Sequence, residues 1–123
     1  MQYYTSATTT LTDLVKGTLR MRPDRIVVGE VRDGAALDLL DVWNTGHEGG
    51  VATLHANNAM AGLTRLRSLI TQNKAAPAEI EPLIGEAVHV VVHIARTPEK
   101  TRRVQEILAI DGFSEGRYHI RNL

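Results

Sequence analysis

Apolar residues in the first part of the chain follow two patterns, one typical of helices and one typical of buried strands. Stripes at helical spacing predict three helices, which begin near Thr10, Asp33 and Ala59. Short apolar runs predict three strands, at residues 2–5, 25–31 and 51–54. The run from Ile26 to Val28 has no polar alternation, which is typical of a strand covered on both faces of a parallel sheet. Alternating strands and helices indicate an α/β fold.

The second half of the chain predicts one more helix and then a run of strands. Pro77 suits the first turn of a helix with an apolar stripe formed by Ile80, Leu83, Ile84 and Ala87. Three strand-like segments follow, at residues 88–95, 102–110 and 117–123. Short polar connections between them indicate antiparallel pairing. We therefore expect a parallel sheet with flanking helices that acquires a C-terminal antiparallel meander.

His89 and His93 stand four residues apart, a spacing that would suit a metal pair on a helix. In a strand this spacing separates them by about 13 Å, at roughly 3.3 Å per residue, which is too far to share one ion. We expect both histidines on an exposed face, opposite Val88, Val90, Val92 and Ile94.

Composition excludes several classes of function. The chain has 14 basic and 14 acidic side chains, so no charge excess indicates a nucleic-acid partner, and we expect no direct sequence-specific nucleic-acid binding. No apolar run approaches the roughly 20 residues that span a bilayer. The sequence has no cysteine, which excludes disulfides and thiolate–metal sites and fits a reducing compartment.

Polar residues accumulate at the ends of the two central strands. RPDRIVVGEVR places Glu30 directly after a buried strand, and NTGHEGGVATLHANN brackets the next strand with His47 and His55. A carboxylate at the carboxyl end of a parallel strand faces the crevice in which open α/β sheets bind ligands. The companion phosphate-loop pattern G-x-x-x-x-G-K-[ST] does not occur in these residues. His47 and Glu48 begin like a zinc-binding H-E-x-x-H helix, but valine at position 51 excludes that pattern.

These motifs closely resemble those of the secretion-superfamily traffic ATPases, the hexameric motors of type II secretion, type IV pili and type IV secretion. WNTGHEGGVATLHANNAMAGLTRL and IEPLIGEAVHVVVHIARTPEKTRRVQEIL resemble in particular the TrbB-like conjugal transfer ATPases of that superfamily. The resemblance covers essentially the whole chain. It implies a RecA-like P-loop NTPase core truncated at its N-terminal side. Residues 1–123 would then be the C-terminal segment of the ATPase domain, with the Walker A loop and the N-terminal domain before Met1.

The resemblance also implies what the complete protein does. It would be a homohexamer that hydrolyses ATP with Mg²⁺ to power conjugative DNA transfer or type IV secretion. Its partners would be other proteins of that machinery, and its location would be cytoplasmic and peripheral to the inner membrane. Without the phosphate loop, the β- and γ-phosphates lose their main cradle, so we expect this chain alone to be inactive.

The resemblance assigns roles to the strand-end residues. Glu30 matches the Walker B glutamate, which orients or activates the attacking water and helps to hold the water shell of the magnesium ion. His47 and His55 match the histidine box, in which an imidazole contacts the γ-phosphate or its water. His55 could equally be a structural histidine. The alternative for Glu30 is a local cap or an ion pair with Arg32.

Four arginines near the same strand are candidates for phosphate binding or for reaching across a subunit interface as arginine fingers: Arg20, Arg22, Arg25 and Arg32. Arg32 is preferred because it lies next to the glutamate. Its alternative is a surface ion pair with Asp24 or Asp33, which would contribute little. Asp13 matches the family's acidic box only loosely and has a simpler role as a helix cap.

Two other functions remain open at this point. The chain could be a naturally truncated, non-catalytic partner or regulator of such an ATPase rather than a fragment of one. It could also be a small enzyme that uses Glu30, His47 and His55 as general acid–base groups on another substrate. The second alternative requires those three side chains to converge on one pocket.

Overall fold

The computed structural model describes residues 4–6, 9–21, 23–47 and 49–123. Helices and strands alternate at first and are followed by three consecutive strands, as the sequence predicts. The helices are α1 (Leu11–Leu19), α2 (Ala35–Asn44), α3 (Ala59–Thr71) and α4 (Glu81–Ala87). The strands are β1 (Val27–Val28), β2 (Val51–Ala52), β3 (Val90–Arg96), β4 (Arg102–Ser114) and β5 (Arg117–Asn122).

The first sheet is a short parallel pair of β1 and β2, in which Val27 lies opposite Val51. Both strands are shorter than predicted, although backbone hydrogen bonds continue the pairing beyond each end. The prediction that β1 is covered on both faces is wrong for these residues. Val27 is 70% exposed and Val51 is 58% exposed, while Ile26 and Val28 are buried. One face of the pair therefore packs on the core and the other lacks a covering element among the described residues.

The second sheet is the predicted antiparallel meander, with the strand order β3-β4-β5. Strand β4 is longer than expected and continues through the DGFSEG segment to Ser114. A register shift between Ile110 and Phe113, with Gly112 at φ 110°, accommodates extra backbone there. The turn consists of Glu115 and Gly116 only. The predicted connection at 111–116 therefore ends where expected but begins four residues too early.

The two faces of β3 are the reverse of the prediction. Val90, Val92 and Ile94 are about half exposed, whereas Val91 packs against the core and His93 on the same face is half-buried. The prediction holds just before the strand, where His89 is exposed and Val88 packs against the core, and fails for His93 and for the three exposed residues opposite it. Apolar residues occupy both faces of this strand, so its periodicity alone could not identify the face that packs inward.

Local signals at the helix ends account for most of the helix boundaries. Thr10 and Asp13 form a reciprocal capping box at the start of α1, as predicted. Asp33 Oδ1 accepts the Ala35 N–H at the start of α2, at 2.9 Å. Helix α4 begins at Glu81 with Pro82 in its first turn, so the expectation that Pro77 starts this helix was wrong. Residues 4 and 5 are not in a strand, and the rest of the predicted strand at 2–5 lies outside the described residues.

The core lies between helices α2, α3 and α4 and the inward faces of the two sheets. Its fully buried large side chains are Leu39, Leu40, Leu63, Leu69, Ile70 and Ile84. Glu106 of β4 accepts a hydrogen bond from the Ala59 N–H at 3.0 Å, which ties the meander to the N-terminus of α3. In the part of the chain that the structure describes, no helix has the length and hydropathy of a membrane span.

An apolar cavity of about 700 Å³ separates the two sheets. One wall follows β2 from Val51 to His55, and the opposite wall follows β3 from Val90 to Ile94. Gly62 and Leu63 of α3 form part of its floor. Among the described residues, no ladder of backbone hydrogen bonds joins β2 to β3, and the two strands therefore belong to separate sheets. The cavity thus lies between two strand edges that have no partner strand on this side.

We predict opposite effects of alanine at two helical glycines. A Cβ added to Gly85 would lie 2.8 Å from the Phe113 backbone nitrogen, so Gly85→Ala must push α4 away from β4. We expect this change to lower the free energy of unfolding by about 1–3 kcal/mol. A Cβ at Gly17 of α1 meets no atom within 4 Å, so Gly17→Ala should raise stability by about 0.5–1 kcal/mol. Urea titration of both variants tests the pair, and a stable Gly85→Ala protein would contradict the close packing of α4 on β4.

We also predict a pH-dependent contribution from the cap of α1. Hydrogen bonds from the Thr10 backbone and side chain hold the pKa of Asp13 below its ordinary value. A carboxyl group with a lowered folded-state pKa stabilises the fold above its unfolded pKa, and this contribution is lost as the pH falls through the folded pKa. Asp13→Ala should therefore lower the Tm more at pH 7 than at pH 2. Glu79→Ala, which removes an exposed carboxylate, is the control; equal losses at both pH values for Asp13→Ala would contradict the prediction.

Candidate functional site

Glu30 lies two residues beyond the end of β1, at the carboxyl edge of the parallel pair. This edge is where ligands bind in open α/β sheets. The Glu30 side chain is 21% exposed, so it is partly buried but reachable from solvent. It does not point into the packed core. The position that the sequence predicts for this carboxylate is therefore the position it occupies.

Two cationic or potentially cationic side chains contact the Glu30 carboxylate, one on each oxygen. Arg32 Nε donates to Oε2. His55 Nε2 lies 2.6 Å from Oε1. The carboxylate thus lies between a guanidinium group from the segment after β1 and an imidazole from the segment after β2. We call Glu30, Arg32 and His55 the strand-end cluster.

The two partners of Glu30 are far more exposed than the carboxylate they contact. The Arg32 side chain is 80% exposed and the His55 side chain is 95% exposed. The Arg32 contact is the ion pair with Glu30 that the sequence left open as an alternative. The other alternative, an ion pair of Arg32 with Asp24 or Asp33, is not among the contacts of the described residues. The described contact uses one of the five N–H donors of the guanidinium group, so the group can bind an anion while it keeps this contact.

The structure does not bring His47 to this cluster. The chain passes His47 before it enters β2 and reaches His55 after it leaves β2, and β1 runs parallel to β2. His47 therefore lies at the amino edge, where its Nδ1 is 3.3 Å from the Pro23 carbonyl oxygen. The resemblance groups both histidines in one histidine box near Glu30, but the structure places only His55 at the edge that carries Glu30. The catalytic role predicted for His47 is not tested by any contact of the described residues.

The remaining arginine candidates also lie away from the cluster or outside the described residues. Arg20 is exposed and forms the C-cap of α1. No hydrogen bond or ion pair of the described residues joins it to Glu30. Arg25 lies beside Gly49 at the amino edge of the sheet, on the same side as His47. Arg22 lies outside the described residues, so its predicted contact with phosphate has no structural counterpart here.

Thr53 is a polar contact of the site that the sequence analysis missed. Its backbone carbonyl accepts the Val31 N–H at 2.8 Å, and its hydroxyl donates to the Gly29 carbonyl oxygen. Both contacts are made to the residues that flank Glu30. A signal was present in the sequence, because Thr53 precedes His55 by two residues and two-residue spacing puts side chains on one face of a strand.

The cluster by itself is not a metal-binding cage. Across residues 4–6, 9–21, 23–47 and 49–123, no three His, Cys, Asp or Glu side chains converge on one point. His55 lies at the rim of the apolar cavity between the two sheets and so borders both the cavity and the cluster. The arrangement offers one carboxylate that can accept a proton or hold a water molecule, with two donors beside it that suit an anion.

Comparison with known proteins identifies the family. The family described as "Type II/IV secretion system protein" matches residues 1–117. A probable conjugal transfer protein TrbB of Sinorhizobium fredii is 52% identical over 96% of this chain. A conjugal transfer protein TrbB of Rhizobium radiobacter is 50% identical over 94% of this chain. These matches confirm the resemblance that the sequence motifs predict.

The solved structure of the VirB11 ATPase from the Brucella suis type IV secretion system, in complex with sulphate, has the same fold. It matches with a TM-score of 0.76 and 32% sequence identity, over 81% of this chain and 32% of that chain. The two TrbB proteins are likewise covered over only 35% of their length. The chain therefore spans about a third of the length of the relatives that it matches. With an α/β core that carries a parallel pair and a meander, this chain belongs to the type II/IV secretion system protein family.

Proposed function

We propose that residues 1–123 are the C-terminal part of the ATP-hydrolysing domain of a motor that powers conjugative DNA transfer through a type IV secretion system. The observation that carries this proposal is the strand-end cluster. A half-buried carboxylate stands at the carboxyl edge of a parallel strand pair, between a guanidinium group and an imidazole, in a chain of this family. Nucleotide hydrolysis uses a residue that orients or activates the attacking water and cationic groups that stabilise the developing charge, and the side chains of this cluster suit both roles.

In this proposal Glu30 orients the attacking water and accepts its proton. Arg32 and His55 each contact one oxygen of this carboxylate, which is the group that would act as the base. Bound ATP and Mg²⁺ supply the phosphoryl group and neutralise part of its charge. The cluster contains one carboxylate, which suits a contact with the water shell of a nucleotide-bound magnesium ion rather than direct coordination by several protein ligands.

Arg32 and His55 are the proposed phosphate contacts. Both side chains are largely exposed, so they can reach an anion with little rearrangement of the core. Guanidinium groups bind phosphate oxygens through paired N–H donors. The related VirB11 ATPase was solved with sulphate, which is a tetrahedral oxyanion like phosphate. The sulphate complex supports anion binding by a member of the family. The position of the anion beside Arg32 and His55 in this chain is our proposal.

The proposed complete protein supplies what these residues lack. The phosphate-loop pattern is absent from the sequence, while the relatives are about three times as long. We assign the loop, and the elements that cover the apolar cavity, to the part of the protein not included in these residues. The two sheets expose the apolar side chains of Val27, Val51, Val90, Val92 and Ile94. A group of exposed apolar side chains is typical of an interface. Assembly into a hexamer, contacts with other secretion proteins, and a place on the cytoplasmic side of the inner membrane belong to the same proposal.

The role of Glu30 has a direct test in the full-length ATPase that carries this sequence. Glu30→Gln keeps the shape and the acceptor oxygen but removes the base, so we expect kcat to fall by roughly 100-fold or more with ATP binding retained. Steady-state hydrolysis and fluorescent-nucleotide binding measure the two effects. Glu99→Gln, in the exposed turn between β3 and β4, is the matched control. Undiminished turnover by Glu30→Gln would remove Glu30 from the mechanism.

A second test concerns the chain of 123 residues alone. We expect it to bind a fluorescent ATP analogue weakly and to hydrolyse no measurable ATP, because the cluster lacks the amide cradle that holds the β- and γ-phosphates. Titration followed by fluorescence anisotropy measures the affinity. A sub-micromolar Kd would mean that these residues contain a complete nucleotide site, contrary to the proposal.

A further inference from the structure

We propose that Thr53 is a positioning residue that fixes the direction of the Glu30 carboxylate. The inference rests on the proposed role of Glu30 and extends it to a residue that touches neither the nucleotide nor the attacking water. Thr53 acts through the backbone on both sides of the glutamate. Its hydroxyl has a function that a valine of the same shape could not perform.

The contacts of Thr53 form a clamp around Glu30. The Thr53 carbonyl oxygen accepts the Val31 N–H at 2.8 Å, and the Thr53 hydroxyl donates to the Gly29 carbonyl. One contact therefore precedes Glu30 in the chain and the other follows it. Together they hold the two peptide groups from which the direction of the Glu30 side chain follows.

The hydroxyl contact matters because Gly29 and Glu30 lie outside the regular strands and helices. β1 ends at Val28, and the next helix begins at Ala35. Gly29 has no heavy atom within 4 Å of the place where a Cβ would stand, and glycine has the largest conformational freedom of any residue. Without the hydroxyl contact, the Gly29 carbonyl loses this hydrogen bond and the peptide between Gly29 and Glu30 gains freedom to rotate, which would shift the carboxylate.

The segment that follows β2, residues 53–55, also places His55 beside the carboxylate. Thr53 and His55 are two residues apart, so their side chains lie on one face of this segment. Thr53 holds the backbone that flanks Glu30, and His55 Nε2 contacts its Oε1 at 2.6 Å. One short segment therefore sets both the position of the carboxylate and that of its imidazole partner. Any shift of β2 would reach Glu30 through these two contacts at once.

Packing alone does not account for threonine at this position. Thr53 is exposed, so its hydroxyl could be satisfied by water and its removal leaves no cavity in the core. A purely structural residue here would tolerate valine, which has the same shape and a high preference for strands. The effect of valine on catalysis therefore separates a positioning role from a structural one.

The test compares Thr53→Val with Thr53→Ser in the full-length ATPase. For Thr53→Val we expect kcat to fall roughly 10- to 100-fold, as for a displaced catalytic group, with KM for ATP nearly unchanged. Thr53→Ser keeps the hydroxyl and should retain most of the activity. Thr64→Val, which removes an exposed hydroxyl on α3, is the control and should leave both constants unchanged. Equal activity of the valine and serine variants would overturn the inference.

Hydrogen–deuterium exchange of the same variants tests the Thr53 contacts without relying on ATP hydrolysis. The Val31 amide should exchange faster in Thr53→Val than in Thr53→Ser, because loss of the hydroxyl contact loosens the clamp. Unchanged exchange would overturn the inference even if activity fell. Faster exchange with full activity, in a protein that Glu30→Gln inactivates, would reject the positioning role and leave the proposed function intact. Full activity of Glu30→Gln would reject both.

Discussion

The parallel pairing of β1 with β2 is the constraint on which the site depends. It aligns Val27 with Val51 and Val28 with Ala52, over only two residue pairs. Because the strands run in the same direction, the residues that follow both strands meet at one edge of the sheet. That edge receives Glu30 from one strand and His55 from the other. A slip of one residue in this register would turn His55 to the opposite face and separate it from the carboxylate.

The strand-end cluster is arranged for chemistry more than for stability. Ion pairs whose cationic partner is largely exposed contribute little to folding, since water and salt screen them. The same exposure leaves the guanidinium and imidazole groups accessible to an anion from solvent. Glu30 is the least exposed member of the cluster, and Thr53 contacts the backbone on both sides of it. The result is a fixed carboxylate with two movable donors beside it.

The C-terminal meander is attached to the rest of the fold through helices α3 and α4. Glu106 of β4 accepts the first N–H of α3, and Ile84 and Gly85 of α4 lie against the same strand. Helix α3 in turn forms the floor of the cavity between the two sheets. The outward face of β3 remains apolar and exposed, as do Val27 and Val51 on the small sheet. Both sheets therefore present uncovered surface, and the cavity lies between them.

The sequence by itself determined the order of the described elements, the capping box of α1, the start of α3 and the family. It also placed Glu30 after a central strand. These features depend on residues a few positions apart, such as Thr10 and Asp13, whose hydrogen bonds form within one turn. The bracketing of β2 by two histidines already implied that they lie at opposite ends of that strand, although the shared motif had suggested a common role.

Only the tertiary structure decided which side chains meet. It paired Glu30 with His55, set His47 against Pro23, exposed the valine face of β3, and revealed the Thr53 clamp. Each of these contacts or faces depends on how strands far apart in the chain are paired, as for Thr53 and Gly29, which are 24 positions apart. Local periodicity specifies that a strand exists, but its partner, its register and its buried face follow from packing between distant segments.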